Sequence, residues 1–232
     1  MVGDGSGRPK SSQASVKRDF VTADRCKDLS RALAALPRCE PASLWNVPCF
    51  IVYMDFSKLL TEEHKVIRRA MDILNMMTEQ ANHGMQVDIH DVHALLLFLH
   101  YFADASHQAK EEAILFPALD ASEAFTSSKA QILLKDHNGE RSLIEETQIA
   151  LFTDRHSEFI ASARRLTDLL SEHLIREESF LFPLAEQVLT QEEGMEISRR
   201  MQEADANFGY TQRKLLLDLL QQLADKYIRK AA

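Results

Sequence analysis

At 232 residues the chain is long enough for one sizeable core and an appendage. Its net charge of −8 argues against a general nucleic-acid binder. No apolar run approaches the ~20 residues a membrane span needs, and Met1 to Arg8 show no apolar signal-peptide core, so neither a membrane nor export is expected.

Composition changes near residue 54. Cys26, Cys39, Cys49, Trp45 and four of the six prolines all precede it. Residues 1–53 hold eight basic and five acidic residues, a charge of +3, which leaves −11 for the remainder. Three unevenly spaced cysteines make neither a disulfide framework nor a zinc motif, so reduced thiols in a cytoplasmic protein are expected. Residues 1–53 are expected to be mostly irregular, with one short helix over 24–36, or to lie outside the native domain with Met54 as the start. Residues 54–232 form the domain.

From Ser57, the expected N-cap, Leu60, His64, Ile67, Met71, Leu74 and Thr78 recur at helical steps. This predicts a helix of about 38 Å running to His83 and closed by Gly84. A second helix starts near Asp88 or Asp91. On it His93, Leu96, Leu97, His100, His107, Glu111, Ile114 and Leu115 share a face, and Pro117 bends or ends it. Asp120 to Phe125 is a connection. A third helix runs from Ser127 or Ser128 to Phe152, with Leu133, Leu134, His137, Arg141, Ile144 and Gln148 inward. Gly139 inside it costs about 1 kcal/mol relative to Ala, tolerable if a neighbour approaches closely. A fourth helix opens at Asp154. Its stripe is Ala163, Leu166, Leu169, Leu170, His173, Glu177, Phe180, Leu181 and Leu184, with a kink at Pro183. Thr190 to Glu193 form a capping box that starts a fifth helix ending near Gly209. A leucine-faced helix then runs to about Arg229. The expected class is all-α: an up-down antiparallel four-helix bundle with two additional C-terminal helices.

Residues 107–117 and 173–183 both read H-x-x-x-E-E-x-x-L-F-P, offset by 66 at every matched position. Residues i and i+4 lie one turn apart on a helix, so each copy aims an imidazole and a carboxylate into the bundle together. An unpaired buried carboxylate would be very costly. One copy alone is explained by a local hydrogen bond, and a lone stripe histidine by a satisfied core residue. The joint set of His64, His107, Glu111, His137, His173 and Glu177 matches what a two-metal site needs. The carboxylates can bridge two ions, each ion taking two imidazoles. An all-nitrogen-and-oxygen donor set suits iron, manganese or zinc, and two iron ions are expected. Glu112 and Glu178 are rotated about 100° from their neighbours and are expected outward, with a shift of either into the site left open. His93 and His100 are expected at the core or rim, and His83, His90 and His156 on the surface. Arg141 is either a surface charge or a neutraliser of a bridging carboxylate.

These residues resemble the hemerythrin-like (HHE cation-binding) domain family. The matching segments are Thr61 to His64, His107 to Pro117, Lys135 to His137 with Arg141, and Glu172 to Pro183, followed by the tail from Thr190. The resemblance covers about residues 57–225. It implies a non-haem di-iron site in a four-helix bundle, with the six residues above as ligands and carboxylate and oxo or hydroxo bridges. Oxygen-carrying members have a further histidine where this chain has Arg141, and a fourth-helix carboxylate at the place of Glu178. Bacterial relatives often have a second histidine where this chain has Gln108, and an H-x-x-G-R pattern that appears here as His137-Asn-Gly139-Glu-Arg141. These departures point from oxygen storage toward O2, NO or iron sensing, stress response or iron–sulfur repair. Ferritin-like proteins, with E-x-x-H spacing, are less similar. Two other classes remain open: a di-iron oxidase, peroxidase or NO reductase with a redox partner, and a metal-free helical interaction module.

Overall fold

The computed structural model describes residues 55–121 and 127–228. The expectations for residues 1–53, for Met54 as the start, for most of the connection around residue 122 and for Arg229 lie outside them. Among the described residues every regular element is helical, and no helix is long and apolar enough to cross a membrane.

The first helix, α1, spans Phe56–Asn82. Its cap is Asp55, whose carboxylate accepts from Ser57 N, so the cap lies two residues earlier than expected. Ser57 Oγ instead donates to Glu186 at 2.7 Å. Gly84 ends the helix with a positive φ of 72°, a conformation that glycine adopts without a Cβ clash.

The second long helix changes its winding along its length. It begins as α2, Ile89–Phe98, capped by Asp88. It continues in π geometry as π1, Leu99–Gln108, and π2, Glu111–Leu115, and finishes as α3, Phe116–Ala121. In a π-turn the hydrogen bond reaches back five residues rather than four, which rotates the facing of every later residue in the helix. His100 therefore does not share the face of His107: its side chain is half exposed and lies 3.4 Å from Asp104.

Helix α4 spans Ser127–Phe152 and α5 spans His156–Arg176. Asp154 does not open α5. It sits in the turn with φ 57°. The inward stripe of α4 is Leu133, His137, Glu140, Leu143, Ile144 and Thr147, so Arg141 and Gln148 fall beside it rather than in it. A Cβ on Gly139 would stand 3.0 Å from Leu169 Cδ2, which is the close approach that the glycine permits.

After α5 come π3, Glu177–Leu181, and α6, Phe182–Val188. The two π-turns end alike. Phe116 N–H bonds Glu111 O, and Phe182 N–H bonds Glu177 O. Each Phe is followed by the proline of the repeat, which has no N–H for the preceding turn. The carbonyl of Ala113 accepts from Arg200 instead, at 3.3 Å. The helix thus runs on through Pro183. The same register shift leaves Phe180 exposed, against the sequence expectation.

Helix α1 packs on the second helix and on α5, and α4 packs on both as well, so the four form a closed ring. Helix α7, Gln191–Phe208, starts with the expected Thr190–Glu193 capping box. After Gly209, with φ 101°, α8 covers Tyr210–Tyr227. Two apolar clusters hold the bundle. One contains Leu60, Leu115, Phe116, Leu181 and Phe182, sealed by Ile197 and Met201 of α7. The other contains Ile67, Leu96, Phe102, Leu166 and Leu174, sealed by Leu216, Leu220 and Leu223 of α8. Each fully buried leucine or phenylalanine contributes about 1.5–3 kcal/mol. His64 lies between Leu60 and Ile67 on α1, so a polar layer separates the two clusters.

Candidate metal centre

All six side chains expected as ligands meet in that layer, and each is buried. They form two groups, His64–His107–Glu111–Glu177 and His137–His173–Glu111–Glu177, with the donor atoms of each group within 4.8 Å of one another. The two glutamates belong to both. Glu111 Oε1 lies 3.6 Å from His107 Nε2, and its Oε2 lies 3.5 Å from His137 Nε2. Glu177 Oε2 lies 3.1 Å from His64 Nε2, and its Oε1 lies 2.9 Å from His173 Nε2. Each carboxylate therefore offers one oxygen to each imidazole pair.

The imidazoles are oriented from behind. His64 Nδ1 donates to Glu178 at 2.8 Å, His107 Nδ1 to Glu63 at 2.9 Å, and His137 Nδ1 to Glu112 at 2.7 Å. His173 Nδ1 stands 3.7 Å from Asp136. An ionised carboxylate only accepts, so the three bonded Nδ1 atoms carry protons and a neutral ring presents a bare Nε2. His64 Nε2 and His107 Nε2 are 3.2 Å apart, and His137 Nε2 and His173 Nε2 are 3.1 Å apart. With neutral rings His64 and His107 set two lone pairs against each other, and His137 turns its lone pair toward His173 Nε2. The oxygens of Glu111 and Glu177 have no well-aligned hydrogen-bond donor, and the imidazole nitrogens are their nearest polar neighbours. Donors at about 2.1 Å from a shared ion stand about 3 Å apart at right angles. Spacing, orphaned oxygens and tautomers all fit a cation between each pair.

The repeat does more than supply candidate donors. In each copy the second glutamate serves an imidazole on another helix: Glu112 holds His137 and Glu178 holds His64. The phenylalanine of each copy stacks on that same imidazole, Phe116 on His137 at 5.9 Å and Phe182 on His64 at 5.4 Å. Glu112 and Glu178 are thus only part-exposed, not simply outward. Arg141 binds Glu112 at 2.7 Å and Asp104 at 2.7 Å, and Arg68 binds Glu178 through two bonds of 2.8 and 2.7 Å. Arg141 therefore anchors the carboxylate behind His137 and makes no ion pair with Glu111 or Glu177.

Charge is tightly linked here. Burial disfavours a charged His173, but the Glu177 carboxylate outweighs it and lifts the imidazole to about 11 in the metal-free chain. Burial likewise opposes charge on His107 and His137, and Glu111 leads in raising both. Burial pushes Glu63 up, yet the His107 hydrogen bond and the His107 and Lys110 charges hold it at about 2.

Sequence reasoning assigned no role to Glu63, Asp136, Gln108 or Glu140. Glu63 and Asp136 each precede a candidate ligand, His64 and His137, yet serve the histidine of another helix, His107 and His173. Their adjacency was the available signal. Glu140 and Gln108 are both buried, and Gln108 Nε2 donates to Glu140 Oε2. Gln108 Oε1 and Glu140 Oε1 have no hydrogen-bond partner. Burial raises the Glu140 carboxyl to about 7 against the pull of the His173 and His137 charges. His93 is buried with neither ring nitrogen bonded, and its ring meets Phe152 edge-on at 4.9 Å.

No curated protein and no solved structure matches the chain. The family model for the hemerythrin HHE cation binding domain matches residues 55–185, the four-helix bundle up to the last turn of α6 and every residue of the two donor groups, and the chain belongs to this family.

Proposed function

We propose that this chain is a cytoplasmic non-haem di-iron protein that binds O2 or NO, or handles iron, in sensing or stress response. The carrying observation is that Glu111 and Glu177 each direct one oxygen to each of two imidazole pairs. His64, His107, Glu111 and Glu177 would hold one ion, and His137, His173, Glu111 and Glu177 the other. Four nitrogen and oxygen donors per ion suit iron, with manganese and zinc as competitors. When bound, iron supplies redox-active positions open to a small ligand. The chain keeps the imidazoles oriented through Glu178, Glu63 and Glu112 and excludes water with Phe116, Phe182 and the two apolar clusters.

The Glu140–Gln108 pair favours a second reading, a di-iron oxidase, peroxidase or NO reductase served by a redox partner. A buried carboxyl near neutrality beside the centre could hold a proton for turnover.

Metal content with the visible spectrum, after growth in iron, tests both. Two ions per chain and the absorption of a bridged diferric pair are expected. Clearly fewer than two ions of any metal refutes the centre. Mixing the diferrous form with O2 or NO then separates the readings. A stable adduct supports binding, and sustained consumption with a reductant supports an enzyme.

A further inference from the structure

The family match ends at residue 185, before α7 and α8. Both helices nonetheless reach the metal layer. Asp205, near the end of α7, and Arg213, in the first turn of α8, flank Gly209. Asp205 accepts from Lys110 Nζ at 2.7 Å, and Lys110 also donates to Glu63 at 2.6 Å. Arg213 lies 3.0 Å from Glu63 and 3.6 Å from Asp205, with its guanidinium 5.0 Å over the Phe102 ring. Glu63 in turn holds His107 Nδ1. Lys110 and Glu63 are 2% and 1% exposed, so neither charge is left to water. Arg213 is 27% exposed, against 39% for Arg68 behind Glu178 and 34% for Arg141 behind Glu112, both of which belong to the matched bundle.

We infer that α7 and α8 are a working part of the metal centre: Asp205 and Arg213 position His107 through Lys110 and Glu63, so that metal loading and the seating of these two helices are coupled. Lifting the helices would strip Lys110 of Asp205 and Glu63 of Arg213. Two buried charges would each lose a partner, and Glu63, the acceptor of His107, would be held by Lys110 alone. The reverse holds by linkage: an ion that fixes His107 favours the seated helices. Their apolar faces place them, since Met201 packs on one cluster and Leu220 on the other, with the ionic pair between. The inference rests on the dinuclear reading above.

The test uses the full chain, titrated anaerobically with ferrous iron, and reads two signals. The first is iron affinity in the wild type, in Asp205→Asn/Arg213→Gln and in Arg213→Lys. The double variant is expected to bind one of its two ions about 10- to 100-fold more weakly, as loss of groups behind a metal ligand typically does, and the lysine variant to recover most of this. The second is amide hydrogen exchange over residues 191–227 in the wild type, expected to slow when iron is added. A double variant that binds both ions like the wild type, or wild-type exchange there that ignores iron, overturns the coupling. If the double variant does not fold, the wild-type exchange result decides alone. A wild type that takes up no iron overturns the dinuclear reading as well.

Discussion

The shared carboxylates make a sharp prediction, because a bridging residue and a terminal residue should fail differently. His64 belongs to one donor group only, and His64→Ala leaves Glu111, His137, His173 and Glu177 intact. One tight ion per chain should remain. Glu177 belongs to both groups, so Glu177→Gln takes a donor from each. No tight ion should remain, and both should weaken together. With free ferrous iron at about a thousand times Kd, each ion stabilises the fold by about 4 kcal/mol, so the wild type gains about 8 and His64→Ala about 4. A hundredfold loss at each site leaves Glu177→Gln about 1.4 kcal/mol per ion. At about 2–4 °C per kcal/mol for a domain of this size, one tight ion is worth about 8–16 °C in Tm. The assay is an anaerobic iron titration read by metal content, with thermal melts at matched free iron. Total stabilisation in the two variants is similar, so stoichiometry decides. A His64→Ala chain that keeps two tight ions, or a Glu177→Gln chain that keeps one at wild-type affinity, would refute the shared-bridge geometry.

Three further outcomes are expected from the same site and its supports. Glu140 has its carboxyl raised from 4.5 to about 7, so folding is disfavoured by its burial only above pH 4.5, increasingly up to pH 7. Glu140→Gln should therefore stabilise the metal-free chain by up to about 3 kcal/mol at pH 7 and above, with the gain fading toward pH 4.5; urea melts that show the same gain at both pH values would count against it. His173 is raised from 6.5 to about 11, so the stability that its charged form contributes is complete below pH 6.5 and is lost as pH rises through 11. Metal must displace that proton, and iron binding at pH 7 should release protons, measurable by calorimetry in buffers of different ionisation heat; a binding heat that does not depend on the buffer contradicts the assignment. Leu60 is fully buried one turn before His64, and Leu60→Ala should cost about 2–5 kcal/mol. A loss below 1 kcal/mol by denaturant melt would show that this end of the bundle is not packed as described.

The chain's local pattern was enough for the helices and for the six converging side chains, because helical facing is a short-range property. A step of four residues puts His107 over Glu111 and His173 over Glu177 whatever the rest of the chain does. The capping box at Thr190 and the stop at Gly84 are equally local. The periodicity misled where the backbone left α geometry. The π-turns that begin at Leu99 and Glu177 took His100, a rim residue as expected, off the face of His107 and left Phe180 exposed, and an even 3.6-residue count has no means of registering them. In α4 the stripe was misjudged by one residue, which hid Glu140 behind Arg141. What only the tertiary structure decided was which helix each polar group serves. Glu63 adjoins His64 in the chain but bonds His107, and Glu112 adjoins Glu111 but holds His137. Asp205 meets Lys110 across 95 residues. Such pairings depend on the order of helices around the bundle and on how far each is shifted along its axis, and both are set by packing between segments distant in sequence.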